Sequence, residues 1–169
     1  MPAPPEVVTA LWLLPGGVAA EYLGEKVRQL AAQYAAPLFT PHLTLGLGDA
    51  SLLERINPEP FELAVVGVEA APEFTKTLFV RCALAPELAA LRDSLGLSAA
   101  GYDPHLSLLY CDLPLAEKRR LAATVDFPFP RLRFTAAAAI QCTLPVAGAA
   151  DVAGWKTLAT KTFPGSPRH

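Results

Sequence analysis

Apolar and polar residues alternate with a period of two in several short stretches of this chain, and a helical period fills the segments between them. Residues 7–14 are apolar and β-branched and stop at Pro15-Gly16-Gly17, which predicts a buried first strand closed by a turn. Over residues 18–36 the pattern turns helical, with Tyr22, Val27 and Leu30 on one side and Glu21, Glu25, Lys26 and Arg28 elsewhere. Pro37 closes that helix, and a strand over 39–47 follows. Asp49 to Ser51 cap a short helix over 52–56, and a strand is predicted over 61–68. The next segments read as a strand over 75–82, a helix over 86–97 with Pro86 in its first turn, and a strand over 103–110. A basic-ended helix over 114–125, with Arg119 and Arg120 on a solvated face, precedes a strand over 127–143. A loop of small residues over 144–152 leads to a last strand over 155–163.

These elements repeat. Strand, helix, strand, short helix and strand occur once over residues of about 7–70 and again over about 75–145, within a single domain spanning 1–169. Two such units predict a pseudo-two-fold α+β arrangement of two lobes, with helices on the outside and a cleft between them.

The repeat carries its chemistry with it. Pro41-His42-Leu43-Thr44-Leu45 in the first unit is matched by Pro104-His105-Leu106-Ser107-Leu108 in the second. Strand side chains alternate between faces, so His42 and Thr44 share one face while Leu43 and Leu45 share the other, and the second copy follows suit. The chain has only one further histidine, His169, in a polar tail. Because imidazole titrates near neutrality, two of them can hold a neutral base and a protonated acid at one pH. Placed on either side of a phosphorus atom they suit in-line displacement, with the Thr44 and Ser107 hydroxyls donating to the non-bridging oxygens.

Composition narrows the setting. The chain is 52% hydrophobic and 18% charged, with a net charge of −2, which excludes disorder and gives no general attraction to nucleic acid or anionic membrane. No apolar run reaches the ~20 residues of a membrane span, and the start lacks a signal-peptide pattern, so a cytoplasmic protein is expected. Cys82, Cys111 and Cys142 are widely spaced and form no CxxC pair, so they read as small buried hydrophobes. No Asp, Glu or His cluster near either motif has metal-ligand spacing, and no cofactor is expected.

The paired motif resembles the H-x-[ST]-x signature of the two-histidine phosphoesterase superfamily, and the chain looks most like its cyclic phosphodiesterase branch. Branch-level likeness lies in Trp12-Leu13-Leu14-Pro15, in residues 39–47 and in Ser107-Leu108-Leu109-Tyr110. The resemblance implies a bilobal fold with an antiparallel sheet in each lobe. It also implies opening of 2′,3′-cyclic nucleotides to 2′-phosphates, or of ADP-ribose 1″,2″-cyclic phosphate, without a metal. His42 and His105 carry over as the acid–base pair, Thr44 and Ser107 as phosphate binders, and Tyr110 as an aromatic that lines the site. Lys76 and Trp12 are further candidates for substrate contact, set against readings as an exposed strand-end lysine and a core indole. A monomer acting on a small cyclic-phosphate nucleotide is expected, with no membrane partner. The alternative is a 2′-5′ RNA ligase-like enzyme acting on RNA 3′ ends. Such relatives carry an Arg shortly after the second motif, where this chain has Leu109-Tyr110-Cys111.

Overall fold

The structure is a computed structural model that describes residues 4–97 and 101–165. In chain order its elements are β1 (Glu6–Pro15), α1 (Gly17–Tyr34), β2 (Leu43–Leu47), a 3-10 turn (Ala50–Arg55) and β3 (Phe61–Glu69). A second 3-10 turn (Phe74–Lys76), β4 (Leu78–Cys82), α2 (Pro86–Ser94) and β5 (His105–Leu109) come next. They are followed by α3 (Leu115–Thr124), β6 (Arg131–Leu144), α4 (Ala149–Ala153) and β7 (Lys156–Thr162).

Every strand pairing is antiparallel, in the order β1-β2-β5-β4-β3-β6-β7, and β6 also pairs with β1. The long strand β6 is what joins the lobes. Its first residues, from Arg131 to Phe134, lie beside β3, and its remainder lies between β1 and β7. One lobe is therefore β7-β6-β1-β2 and the other is β6-β3-β4-β5. On the opposite side the lobes meet through the pair Leu43 and Leu106 of β2 and β5. The expected bilobal α+β fold with antiparallel sheets is the one observed.

Strand alternation sorts the side chains. Leu11, Leu13, Leu43, Leu45, Leu106 and Leu108 point to the helix side and join one core with Leu23 and Leu30 of α1 and Leu88 and Leu91 of α2. Each fully buried leucine contributes about 1.5–3 kcal/mol, so this layer holds the lobes to their helices. On the other face Ala10, Trp12, Ala138, Ile140 and Cys142 form a second, smaller cluster. The turn from β1 into α1 depends on Gly16, where a Cβ would fall 2.5 Å from Thr135 Oγ1.

Several boundaries differ from the sequence reading, among them the starts of two strands. β2 begins at Leu43 in place of residue 39, leaving His42 just before it, and β6 begins at Arg131 in place of residue 127, since Pro41 and Pro130 have no N–H to give to a ladder. The strand expected from residue 75 begins at Leu78, because residues 74–76 form a 3-10 turn and the buried Thr77 hydroxyl lies 2.8 Å from Phe74 O. The helix expected to reach residue 97 stops at Ser94, and Gly96 follows in a left-handed conformation with φ of 74°. The small-residue loop contains α4, whose Asp151 carboxylate accepts the N–H groups of Ala147 at 2.9 Å and Gly148 at 3.1 Å. His169 lies outside the described residues. Among the described residues no helix is long and apolar enough to cross a membrane.

Candidate active site

Both histidine motifs are shaped by the same irregularity. Between β1 and β2 the register passes from Leu11 opposite Gly46 to Trp12 opposite Thr44, leaving Leu45 as the extra residue. Between β4 and β5 it passes from Leu78 opposite Leu109 to Phe79 opposite Ser107, leaving Leu108 extra. A bulge shifts the alternation that follows it by one residue. Leu47 and Tyr110, the residues that end the two copies, therefore both reach the same cleft. Gly46 occupies the first bulge with φ of 154°, and a Cβ there would crowd Leu97 at 3.1 Å.

The two imidazoles are held alike. His42 Nδ1 lies 2.7 Å from the carbonyl of Thr40, and His105 Nδ1 lies 2.8 Å from the carbonyl of Asp103. A carbonyl only accepts, so Nδ1 carries the hydrogen in both rings, and Nε2 is the nitrogen left for a ligand. Each ring also meets the aromatic that sits opposite the motif hydroxyl. Trp12 stacks on His42 with centroids 3.4 Å apart and planes 8° apart, while Phe79 meets His105 edge-on at 5.2 Å.

Their electrostatic surroundings are unlike. His42 is 5% exposed and packs against Trp12, Phe39 and Trp155. Burial lowers its pKa to about 4, opposed by the Thr40 carbonyl and assisted by the nearby His105. His105 is half-buried in a charged shell. Burial again lowers its pKa, the Asp103 carbonyl opposes this, and the Lys76 ammonium adds to the depression. Lys76 Nζ pairs with Asp103 Oδ2 at 2.9 Å, and Arg81 bridges Asp103 to Glu69.

The cleft between the lobes has a volume of about 250 Å³. His42, Thr44, Lys76, His105, Tyr110 and Trp12 all line it, so six of the seven residues singled out from sequence converge there. Ser107 does not. It is 3% exposed, and its hydroxyl donates to Thr75 O at 3.2 Å. The expected symmetry of two hydroxyls is thus broken, with Thr44 presented and Ser107 engaged. Lys76 sits on a 3-10 turn and is ion-paired, in place of the exposed strand-end position. Trp12 is 6% exposed and packs as a core indole, and it also stacks on the His42 imidazole, a contact the sequence reading did not offer.

Sequence reasoning missed Trp155, Asp103 and Arg81. Trp155 lines the cleft just before β7 and contacts Trp12, Phe39, His42 and Tyr110 edge-on. Its position after a short helix gave no periodic signal, although it is one of only two tryptophans. The Asp103–Arg81 pair had one available clue, since Arg81 is the cross-strand neighbour of His105. Among the described residues, no group of three His, Cys, Asp or Glu side chains is placed to hold a metal ion.

No family model and no curated protein matches the chain. Solved structures do. The chain is similar to E. coli LigT complexed with 3′-AMP, at 18% identity and a TM-score of 0.52, over 95% of this chain and 99% of that one. It is likewise similar to E. coli LigT complexed with NADP+, at 17% identity and a TM-score of 0.52, over the same shares of the two chains. A third structure, described as a phosphoesterase, matches at 17% identity and a TM-score of 0.50, over 92% of this chain and 97% of that one. At such identities the likeness speaks for the fold: this chain has the fold of LigT.

Proposed function

We propose that the protein is a two-histidine phosphoesterase that hydrolyses small 2′,3′-cyclic nucleotides or ADP-ribose 1″,2″-cyclic phosphate without a metal. The observation that carries this reading is the equivalent pinning of the two imidazoles. In each, a backbone carbonyl two residues upstream takes Nδ1–H, and Nε2 is left for a ligand in one shared cleft. A binding module has no need of two rings fixed in the same tautomer, whereas acid–base catalysis does.

In the reaction, one neutral imidazole takes a proton from water as its oxygen bonds to phosphorus. The other, protonated, gives its proton to the ester oxygen as the P–O bond breaks, so the ring opens and the proton count is unchanged. Burial favours the neutral form of both rings in the empty cleft. An incoming phosphate anion favours the charged form of one of them, so substrate binding and the uptake of the working proton are coupled. Thr44 presents a donor to the non-bridging oxygens. Ser107 joins it by exchanging the Thr75 carbonyl for phosphate. Lys76 supplies positive charge at the cleft wall, and Trp12, Tyr110 and Trp155 supply a flat apolar surface for the rest of the nucleotide. The nucleotides held by LigT in its solved complexes, 3′-AMP and NADP+, are of the same broad chemistry.

The test offers purified protein in EDTA 2′,3′-cyclic AMP, ADP-ribose cyclic phosphate and an RNA ending in a cyclic phosphate. Ring opening of either small substrate is expected. Cleavage of none, or only with added metal, overturns the reading, and cleavage of the RNA alone moves the assignment to RNA ends.

A further inference from the structure

The two histidines share a tautomer but not a support. Thr40, which holds His42, is exposed and has no charge. Asp103, which holds His105, sits at the centre of an ion-pair network spanning three elements. Its carboxylate pairs with Lys76 on the 3-10 turn before β4 and with Arg81 on β4, and Arg81 pairs in turn with Glu69 on β3. Lys76 Nζ and Arg81 Cζ lie 5.8 Å and 5.4 Å from the Phe79 ring, which itself packs edge-on against His105.

We propose that Asp103 is the positioning residue of His105. Its carbonyl fixes the ring's tautomer and direction. Its carboxylate, clamped by two cations, fixes where that carbonyl stands and neutralises the positive charge beside the imidazole. The proposal rests on reading His105 as half of an acid–base pair, and it explains why one imidazole alone needs a charged frame. The groups that face His105 are Lys76 from the 3-10 turn, Arg81 from β4, Asp103 from the segment before β5 and His42 from the segment before β2. Two of these are cations balanced by a single nearby carboxylate, with Glu69 sharing Arg81. An anionic phosphate entering the cleft competes with Asp103 for Lys76, so the same network hands a cation to substrate while Arg81 keeps the carboxylate in place.

The test follows the imidazole signals of the full-length protein by NMR titration, with kcat/KM measured over the same pH range. Asp103→Asn keeps the backbone carbonyl but leaves Lys76 without its carboxylate and Arg81 with Glu69 alone, so the His105 midpoint falls by about half a pH unit or more. The alkaline limb of kcat/KM moves with it, the His42 midpoint moves less, and Asp103→Glu restores most of the shift. Arg81→Met removes a cation and moves the His105 midpoint upward, and this carries the test should Asp103→Asn fail to fold. A folded Asp103→Asn with the His105 midpoint unchanged, or an Arg81→Met that lowers it, overturns the proposal. Failure of the functional reading looks different, because the wild-type protein then opens no cyclic phosphate whatever the NMR titration shows.

Discussion

The indole of Trp12 lies flat on the imidazole of His42, with centroids 3.4 Å and planes 8° apart. Parallel contact over a whole ring face removes water from one side of the imidazole, and Phe39 and Trp155 close much of the rest. That packing is the physical source of the low pKa of His42, about 4.

Removing the indole reverses the effect. Trp12→Ala hydrates the His42 face and moves its NMR titration midpoint up toward the ordinary histidine value near 6.5. Because Trp12 is also core, the same change costs about 3–5 kcal/mol of stability, read by urea denaturation. An unchanged midpoint in the folded variant contradicts the account of the stack.

Stability itself depends on pH through His42. Its folded pKa is depressed below the unfolded value, so above about pH 6.5 both states are neutral and nothing is lost. Between pH 6.5 and about 4 the unfolded chain binds a proton that the folded one refuses, and stability falls by roughly 3 kcal/mol. His105 contributes in the same direction. The urea midpoint is therefore lower at pH 5 than at pH 7, and His42→Leu flattens that dependence.

Catalysis requires one charged and one neutral ring in the reacting complex, and kcat/KM reports their midpoints in the free enzyme, so it traces a bell whose maximum lies between the two midpoints. With both midpoints lowered, the maximum falls on the acid side of neutrality. A profile with a single limb counts against paired catalysis.

Lys118 of α3 is 1% exposed, and its ammonium donates to the carbonyls of Ala71 at 3.3 Å, Pro72 at 3.1 Å and Glu73 at 3.4 Å. It thereby fastens the segment that leads into Thr75 and Lys76. Lys118→Met frees those carbonyls, lowers stability by about 1–3 kcal/mol and raises KM more than it lowers kcat. Steady-state kinetics and urea denaturation check both effects.

The fold and the centre of the site were legible because both are written in local periodicity. Alternation sends Leu43 and Leu45 inward and His42 and Thr44 to the cleft, and the second copy repeats the arrangement in sequence before any contact is known. What escaped depends on partners far apart in the chain. Lys118 stands in a run with Arg119 and Arg120, and nothing local says that this one cation is buried while its neighbours are exposed. The Ser107 hydroxyl was expected to match Thr44, but its orientation is set by the carbonyl of Thr75, on the 3-10 turn before β4 and 32 residues away in the chain. Trp155 follows a five-residue helix too short to announce itself, and it reaches the cleft only because β7 lies against β6.

The central claim, that His42 and His105 work as one acid–base pair on a cyclic phosphate, is tested most directly by hydrolysis of 2′,3′-cyclic AMP in EDTA by the wild type, His42→Ala and His105→Ala. Each variant is expected to lose about 10²–10⁴-fold in rate, with the double variant falling little further, because the two rings act on the same step. Either single variant retaining the wild-type rate while folded contradicts the account.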